Sequence, residues 1–293
     1  RVREAGAPAH LVEVDHVYDL LRSSVDSTRL YAATSSGIRI LRRTAAGWTP
    51  QPVPPSVQTK VQTEVRRLAE AEDGTVWAGT IYDGLYRLRF GTTSTGATAP
   101  ATASATVDHY SHAHGLPSGS VDPQRWNGRI VFGTSAGLLR FRPAPAGDSA
   151  AFVPVRSVQR PSGRPSQGIE SIQKGRPETA WGFLEDGPGH WQRRDTTWRW
   201  APKPLHRLKD RRVFTLRVEA GGNEAEGNVV WMGTSDGLVR YLPAQAEPPS
   251  PPPVQIRSVR SRSPDTLVAA PATNVGPKEP ASIAYTARNL RFR

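Results

Sequence analysis

The chain of 293 residues is 37% hydrophobic and contains 8 Trp, 7 Tyr and 7 Phe, which excludes a disordered protein and, with 26 Gly and 27 Pro, indicates a turn-rich globular one. It has no Cys, which excludes disulfide bonds, a thiolate nucleophile and Cys-ligated metal sites. Its net charge of +12 could attract nucleic acid, but the arginines alternate with apolar residues, which indicates solvent-facing sides of strands and no nucleic-acid partner.

The sequence contains no membrane-spanning segment, because no stretch approaches the ~20 consecutive apolar residues of a membrane helix. The N-terminus has neither Met nor the pattern of a signal peptide. The last residues have the alternation of a strand. We therefore expect the sequence to be part of a longer protein.

A sequence repeat organises residues 1–246. Its clearest copies run from Val76 to Gly84 and from Val230 to Gly237, each with the order Val-Trp-x-Gly-Thr followed by Asp-Gly. The equivalent positions in five copies are Thr34, Thr80, Thr134, Leu184 and Thr234, which are 46, 54, 50 and 50 residues apart. This period is typical of a β-propeller blade and not of a helical repeat.

Each copy predicts one four-stranded blade. In the second copy we expect strands at 65–71, 76–80 and 85–90, with a hairpin glycine at Gly84 and an outer strand before the next copy. Residues 91–121 and 156–168 are predicted connections to the next inner strands, the first with a low-complexity insertion at 92–106. The residues assigned to structural positions of the repeat are Trp77, Gly79, Thr80, Gly84, Gly133, Thr134, Gly137, Trp181, Trp231, Gly233, Thr234 and Gly237.

A change of composition ends the repeats. Residues 247–253 are rich in proline and predict a semi-rigid polyproline linker between two domains. After the linker, residues 254–293 contain segments with strand-like alternation. The predicted domains are therefore a propeller over 1–246 and a second β domain over 254–293.

The repeat is similar to a known family. The acidic-Gly turn, the Trp-x-Gly-Thr strand and the Asp-Gly-Leu hairpin resemble the two-component regulator propeller repeat, which builds periplasmic sensor regions of bacterial histidine kinases. Residues 114–121 resemble the stretch that precedes each inner strand in that family. Residues 283–292 resemble part of the tyrosine-named (Y_Y_Y) Ig-like domain that follows such propellers.

The resemblance implies an all-β fold, in which the five visible blades belong to a partial or degenerate seven-bladed ring and residues 254–293 begin a truncated Ig-like β-sandwich. Two blades depart from the family pattern. The blade around Trp181 lacks the Gly-Thr pair and has Pro188 where Leu is usual, and the blade around Val131 lacks the Trp. These departures make the edges of both blades harder to place.

The resemblance also implies a function. The chain would be the periplasmic or extracellular signal-input region of a sensor histidine kinase, or of a related regulator of the bacterial inner membrane. Ligand binding or dimerisation would occur through the propeller, in a homodimeric parent receptor with an oligosaccharide as one ligand class, and the Ig-like domain would pass on the signal. We expect no catalytic residue, cofactor or metal site here, and membrane and kinase segments only outside this chain.

Two alternatives remain open. A secreted propeller lyase or hydrolase would use acidic neighbours such as Glu70 and Glu72 for acid–base catalysis, and a protein-interaction scaffold would need no small ligand. His109, His112 and His114 crowd one connection, where they could bind zinc or nickel, or could simply be exposed loop residues. For ligand binding we expect the hairpins between second and third strands, with the candidates Tyr82, Asp83, Glu185, Asp186 and Asp236.

Overall fold

The computed structural model describes residues 16–91, 104–143, 151–160, 168–175, 178–184, 187–201, 205, 208, 211–220, 228–243, 259–262, 265–269 and 290–292. The chain divides into two compact units, Arg1–Ala246 and Glu247–Arg293. None of the helices in these ranges has the length and apolar character needed to span a bilayer.

The first unit is a five-bladed β-propeller, which confirms the predicted fold class. Blade 1 contains β1 (Val17–Arg22), β2 (Arg29–Thr34), β3 (Gly37–Thr44) and β4 (Gly47–Gln51), and blade 2 contains β5 (Val65–Glu70), β6 (Val76–Thr80), β7 (Leu85–Phe90) and β8 (Ala105–Tyr110). Blade 3 contains β9 (Asp122–Trp126), β10 (Arg129–Thr134), β11 (Gly137–Arg142) and β12 (Ala151–Pro154).

The last two blades follow the same order. Blade 4 contains β13 (Ser171–Lys174), β14 (Thr179–Leu184), β15 (Gly187–Arg194) and β16 (Thr197–Trp200), and blade 5 contains β17 (Val213–Ala220), β18 (Asn228–Thr234) and β19 (Gly237–Tyr241). Neighbouring strands within each blade are antiparallel. A short helix, α1 (Pro55–Lys60), lies between blades 1 and 2 and buries Val57.

The repeat threonine holds the hairpin between the second and third strands. The hydroxyl oxygen Oγ1 of Thr80 donates to the carbonyl of Gly84 at 3.0 Å and accepts from the backbone N–H of Asp83 at 2.9 Å. Thr34, Thr134 and Thr234 donate in the same way to the carbonyls of Gly37, Gly137 and Gly237. The hairpin glycines all have positive φ, from +69° at Gly84 to +126° at Gly187, which confirms the predicted tight turn.

The hydrophobic core lies between adjacent blades. Four buried clusters join blade 1 to 2, 2 to 3, 3 to 4 and 4 to 5. Trp77 of blade 2, for example, is 4% exposed and packs edge-on against Phe132 of blade 3, with ring centroids 5.0 Å apart. Burial of each such large side chain contributes about 2–3 kcal/mol, so the four interfaces between blades account for much of the stability of the propeller.

The repeat glycine before the threonine has a different role from the hairpin glycine. A Cβ atom on Gly79 would lie 1.9 Å from the carbonyl oxygen of Val121, and one on Gly133 would lie 2.1 Å from that of Glu170. Both carbonyls belong to the chain that leads into the next inner strand. The glycine is therefore required because the backbone of the following blade packs directly on it.

The prediction of one long connection after β7 was wrong. Residues 91–121 are not one connection, because β8 lies within them and forms the outer strand of blade 2. The predicted insertion overlaps this strand at its end, and its residues 92–103 lie outside the described part. Within the same range, His112–His114 forms one turn of 3₁₀-helix that ends at Gly115 with a φ of +86°.

The second unit contains a three-stranded antiparallel sheet. Its central strand β20 (Val259–Arg262) lies between β21 (Asp265–Ala269) and β22 (Leu290–Phe292). The Ig-like identity of this unit stays a prediction, as does membership of a seven-bladed ring.

Candidate functional site

The five inner strands place one polar residue each at the same register. Each of these residues pairs with the residue that precedes the repeat-threonine position on the second strand of its blade. In the order of the blades, the pairs are Asp19 with Ala33, Arg67 with Gly79, Asp122 with Gly133, Ser171 with Phe183, and Thr215 with Gly233. Inner strands surround the axis of a propeller. We call these five residues the channel ring.

The channel ring lines a central cavity of about 300 Å³ to which all five inner strands contribute. Three further residues line the cavity, each two positions after a channel-ring residue on its strand: Gln124, Gln173 and Arg217. The inner strands start on the face that carries the hairpins between second and third strands, because successive strands are antiparallel. The ring residues lie near these starts, so the cavity lies toward this hairpin face.

Arg67 is the one cation among the five channel-ring residues. Its guanidinium Nη2 donates to the backbone carbonyl of Phe214 on blade 5 at 2.6 Å, so the side chain reaches across the channel from blade 2. Arg67 is also the leading charge that acts on Asp122 of blade 3. A cation held between an acidic residue and a carbonyl is positioned to bind an anionic or hydroxyl group of a ligand.

Burial dominates the titration of Asp122. Removal of the carboxyl group from water raises its pKa to about 6, while the charge of Arg67 and a hydrogen bond from the Ser120 hydroxyl act in the opposite direction. The other ring carboxylate, that of Asp19, accepts the backbone N–H groups of Leu68 and Leu20, both at 2.9 Å. The two acids therefore differ: Asp19 has a structural partner on blade 2, and Asp122 faces the cavity with an altered pKa.

Two glutamines tie neighbouring inner strands together across the channel wall. Gln124 of blade 3 donates to the carbonyl of Glu170 at 3.2 Å and accepts from the N–H of Ile172 at 2.7 Å. Gln173 of blade 4 repeats the arrangement on blade 5, with Leu216 and Val218 as partners at 2.7 and 3.1 Å. The amide groups fix the spacing of the blades and so keep the cavity open.

The acidic residues behind the enzyme alternative have structural partners. Glu70 is 2% exposed at the far end of β5, beside a second cavity of about 360 Å³, and it accepts the hydroxyl groups of Ser23 and Ser24 at 2.7 and 2.9 Å. Glu72 lies in the following turn, 3.2 Å from Arg125. Glu70 thus holds the turn after β1, Glu72 forms an exposed ion pair with blade 3, and neither carboxylate lines the cavity that contains Arg67.

Three of the predicted ligand-binding residues, Tyr82, Asp83 and Asp236, lie in described hairpins between second and third strands and are not part of the channel ring. Tyr82 is 93% exposed at the hairpin tip. Asp83 accepts a hydrogen bond from the Tyr86 hydroxyl and lies 3.3 Å from His109, and Asp236 lies 3.2 Å from Arg211. Glu185 and Asp186 lie outside the described residues. Ligand binding by these residues stays a prediction.

The histidines do not converge. His109 stacks on Tyr86 with ring centroids 4.5 Å apart, whereas His114 accepts the backbone N–H of Ser111 through Nδ1. Within the ranges that the structure covers, no group of three or more His, Asp or Glu side chains could hold a metal ion.

The comparisons with known proteins give a fold. No known sequence family and no curated protein matches the chain. The extracellular domain of BT3049 from B. thetaiotaomicron, described as a hybrid two-component system, matches with a TM-score of 0.56 and 16% identity over 94% of this chain and 34% of its own length. That of BT4673 from the same organism, described in the same way, matches with a TM-score of 0.50 and 20% identity over 80% of this chain and 26% of its own.

The chain thus spans between a quarter and a third of the length of these structures. At such low identities the similarity shows the propeller fold alone. It does not assign the functions of the compared proteins to this chain.

Proposed function

We propose that this chain is the ligand-binding, signal-input propeller of an extracellular or periplasmic bacterial sensor. The observation that carries the proposal is the channel ring, in which five blades contribute polar side chains to one cavity on the hairpin face. The two compared structures are extracellular domains of proteins described as hybrid two-component systems, and the proposal extends that role to this chain.

The ligand binds in the central cavity and is small and polar. The cavity offers hydrogen-bond acceptors at Asp122 and donors at Arg67, and its size suits a molecule of a few rings. Binding changes signalling only if the ligand has different affinities for two states of the receptor. Blades that move slightly relative to one another provide such states, because the channel ring joins all five of them.

Ligand binding can be tested directly with a panel of neutral and acidic oligosaccharides as probes, screened by thermal shift and measured by calorimetry. A compound that raises Tm should lose affinity by about tenfold or more in Arg67→Gln, which removes the cation of the channel ring and leaves Arg217 in place. Arg140→Gln is the matched control, because Arg140 is exposed on β11 outside the cavity. Equal affinity in all three proteins would place the binding site elsewhere.

Signalling provides the second test, in the gene product that carries this chain. Thr215→Trp fills the cavity from an exposed position on its wall, whereas Thr197→Trp adds the same bulk to an exposed position on β16. We expect the first variant to abolish the response to the ligand and the second to keep it. A normal response in Thr215→Trp would contradict the proposed site.

A further inference from the structure

A second set of charged side chains lies at the opposite ends of the inner strands. Three positions after the channel ring, blades 1 to 4 carry Arg22, Glu70, Arg125 and Lys174, and blade 5 carries Val218. The inner strands run away from the hairpin face, so these residues lie toward the face that carries the turns between first and second strands. The first three of them line the second cavity, which has a volume of about 360 Å³ and lies between blades 1, 2 and 3.

The second cavity adjoins the central one but differs from it in charge. Pro123 and Gln124 of β9 line both cavities, so this strand forms their common wall. The lining of the central cavity contains three carboxylates and two arginines, whereas that of the second cavity contains two arginines and one carboxylate. The second cavity therefore favours an anionic ligand more strongly than the central one does.

The one carboxylate of the second cavity is held by the turn after β1. Oε1 of Glu70 accepts a hydrogen bond from the Ser23 hydroxyl at 2.7 Å, and Oε2 accepts hydrogen bonds from the hydroxyl, at 2.9 Å, and the backbone N–H of Ser24. These donors stabilise the negative charge and hold the carboxylate against blade 1. Glu70 is thus a fixed part of the cavity wall.

The two arginines of the second cavity keep hydrogen-bond donors for a ligand. Arg22 donates from Nε to the carbonyl of Ser27 at 3.2 Å, and Arg125 pairs through Nη2 with Glu72 at 3.2 Å. Each guanidinium therefore has two nitrogens without a partner among the described residues. The side chain of Glu72 is 75% exposed, and an exposed ion pair contributes at most about 1 kcal/mol, so a bound anion can compete for Arg125.

The rest of the second cavity is largely apolar. Leu68 and Ala69 are 6% and 4% exposed, Pro123 is buried and Leu21 is partly buried, and all four line the cavity. Burial of a hydrocarbon group against such a wall contributes about 25 cal/mol per Å² of apolar surface. The cavity therefore favours an anion with a hydrocarbon body over a small inorganic anion.

We propose that the second cavity binds a small amphipathic anion, namely a carboxylate that carries an aromatic ring or a branched alkyl group. The carboxylate contacts Arg22 and Arg125, and the hydrocarbon body packs on the apolar wall. The volume of the cavity suits a molecule of this size. This site is separate from the central cavity, and the inference does not rest on the proposed function.

Phenylacetate and isovalerate are suitable probes for this site. Phenylacetamide and acetate are the matched compounds, because the first lacks the negative charge and the second lacks the hydrocarbon body. Calorimetry or ligand-observed NMR at neutral pH measures the affinity of each compound for this chain. We expect both probes to bind at least ~10-fold more tightly than either matched compound. Absence of binding by both probes below ~10 mM, or equal binding of phenylacetamide, would overturn the proposal.

Substitutions of exposed residues locate the bound probe. Arg22→Gln and Arg125→Gln should each weaken binding by about tenfold or more, because each removes a charged donor. Glu72→Gln should strengthen binding about two- to fivefold, since it removes the group that competes for Arg125. Arg140→Gln is the matched control, because Arg140 is exposed on β11 and lines neither cavity.

Two results with these variants would contradict the site. Equal affinity in the unsubstituted protein and in all four variants would mean non-specific attraction to a chain with a net charge of +12. Loss of binding in Arg67→Gln, with normal binding in Arg125→Gln, would place the probes in the central cavity.

Methyl NMR of the leucines provides an independent localisation. The methyl signals of Leu21 and Leu68 should shift when a probe binds, whereas those of Leu139, which is buried between blades 2 and 3 outside both cavities, should not. Unchanged signals of Leu21 and Leu68 at saturation would overturn the proposal. None of these measurements depends on the sensor ligand, so failure of this site and failure of the proposed function are distinguishable.

Discussion

At the scale of single residues, Asp122 links the stability of the propeller to pH. Its folded-state pKa of about 6 lies above the ordinary value of 3.8, so the folded state binds this proton more tightly than the unfolded state does. The resulting stabilisation is complete below pH 4 and is lost as the pH rises through 6. An asparagine at this position cannot ionise, so it gives the protein no such loss of stability as the pH rises.

We therefore predict that Asp122→Asn gains stability relative to the wild type as pH rises. The difference in the free energy of unfolding between the two proteins should grow by about 1–3 kcal/mol between pH 4 and pH 7. Urea unfolding at steps of pH measures it, and comparison of the two proteins cancels the contributions of all other carboxylates. Parallel pH profiles would show that Asp122 is not buried in the channel.

The channel ring was not predicted from sequence, and the reason is local geometry. Three inner strands are paired irregularly with their second strands close to where they start, which shifts the alternation of their side chains. The irregularities lie between Val17 and Asp19, between Val65 and Arg67, and between Val213 and Thr215. Strict period-two alternation therefore assigns these side chains to the wrong face. Counting back from the repeat threonine through the strand pairing would have identified them, but the pairing is known only from the structure.

At the scale of strands, the sequence predicted the second and third strands of a blade well and the outer strand poorly. Residues 76–80 and 85–90 were placed correctly because the Gly-Thr pair and the hairpin glycine have fixed structural roles. The position of β8 was missed because the strand follows a segment of Thr, Ala, Ser and Gly and contains neither the Gly-Thr pair nor a hairpin glycine. Outer strands contact only one neighbour within the blade, so their sequences carry fewer constraints.

The repeat glycines yield a prediction at this scale. Gly79→Ala should lower the free energy of unfolding by about 3 kcal/mol, because its Cβ would overlap a backbone carbonyl that cannot move without shifting blade 3. Gly233→Ala is the matched variant in blade 5, and in the 293-residue chain it should cost less than ~1 kcal/mol, since only the Thr215 methyl group must move. Thermal or urea unfolding measures both.

The pair of variants also checks the role assigned to the repeat glycine. Equal costs for Gly79→Ala and Gly233→Ala would mean that the glycine serves its own strand, and contact with the next blade would then not explain it.

At the scale of the whole propeller, the four interfaces form a linear series in which each blade contacts its neighbours. Stability in such an array is a sum of terms for single blades and for their interfaces. Blades 2, 3 and 4 have two interfaces each, whereas blades 1 and 5 have one each within the described chain. The end blades should therefore open locally at a lower free energy than the central ones.

Hydrogen exchange can measure this gradient. We predict that, in the 293-residue chain, the amides of β18 in blade 5 exchange roughly 10–100-fold faster than those of β10 in blade 3. The reason is that one missing interface removes the burial of about one or two large side chains. Both are second strands of their blades and are hydrogen-bonded on both sides, so strand position does not account for the difference. Equal protection in β10 and β18 would indicate a ring that closes through contacts between blades 5 and 1.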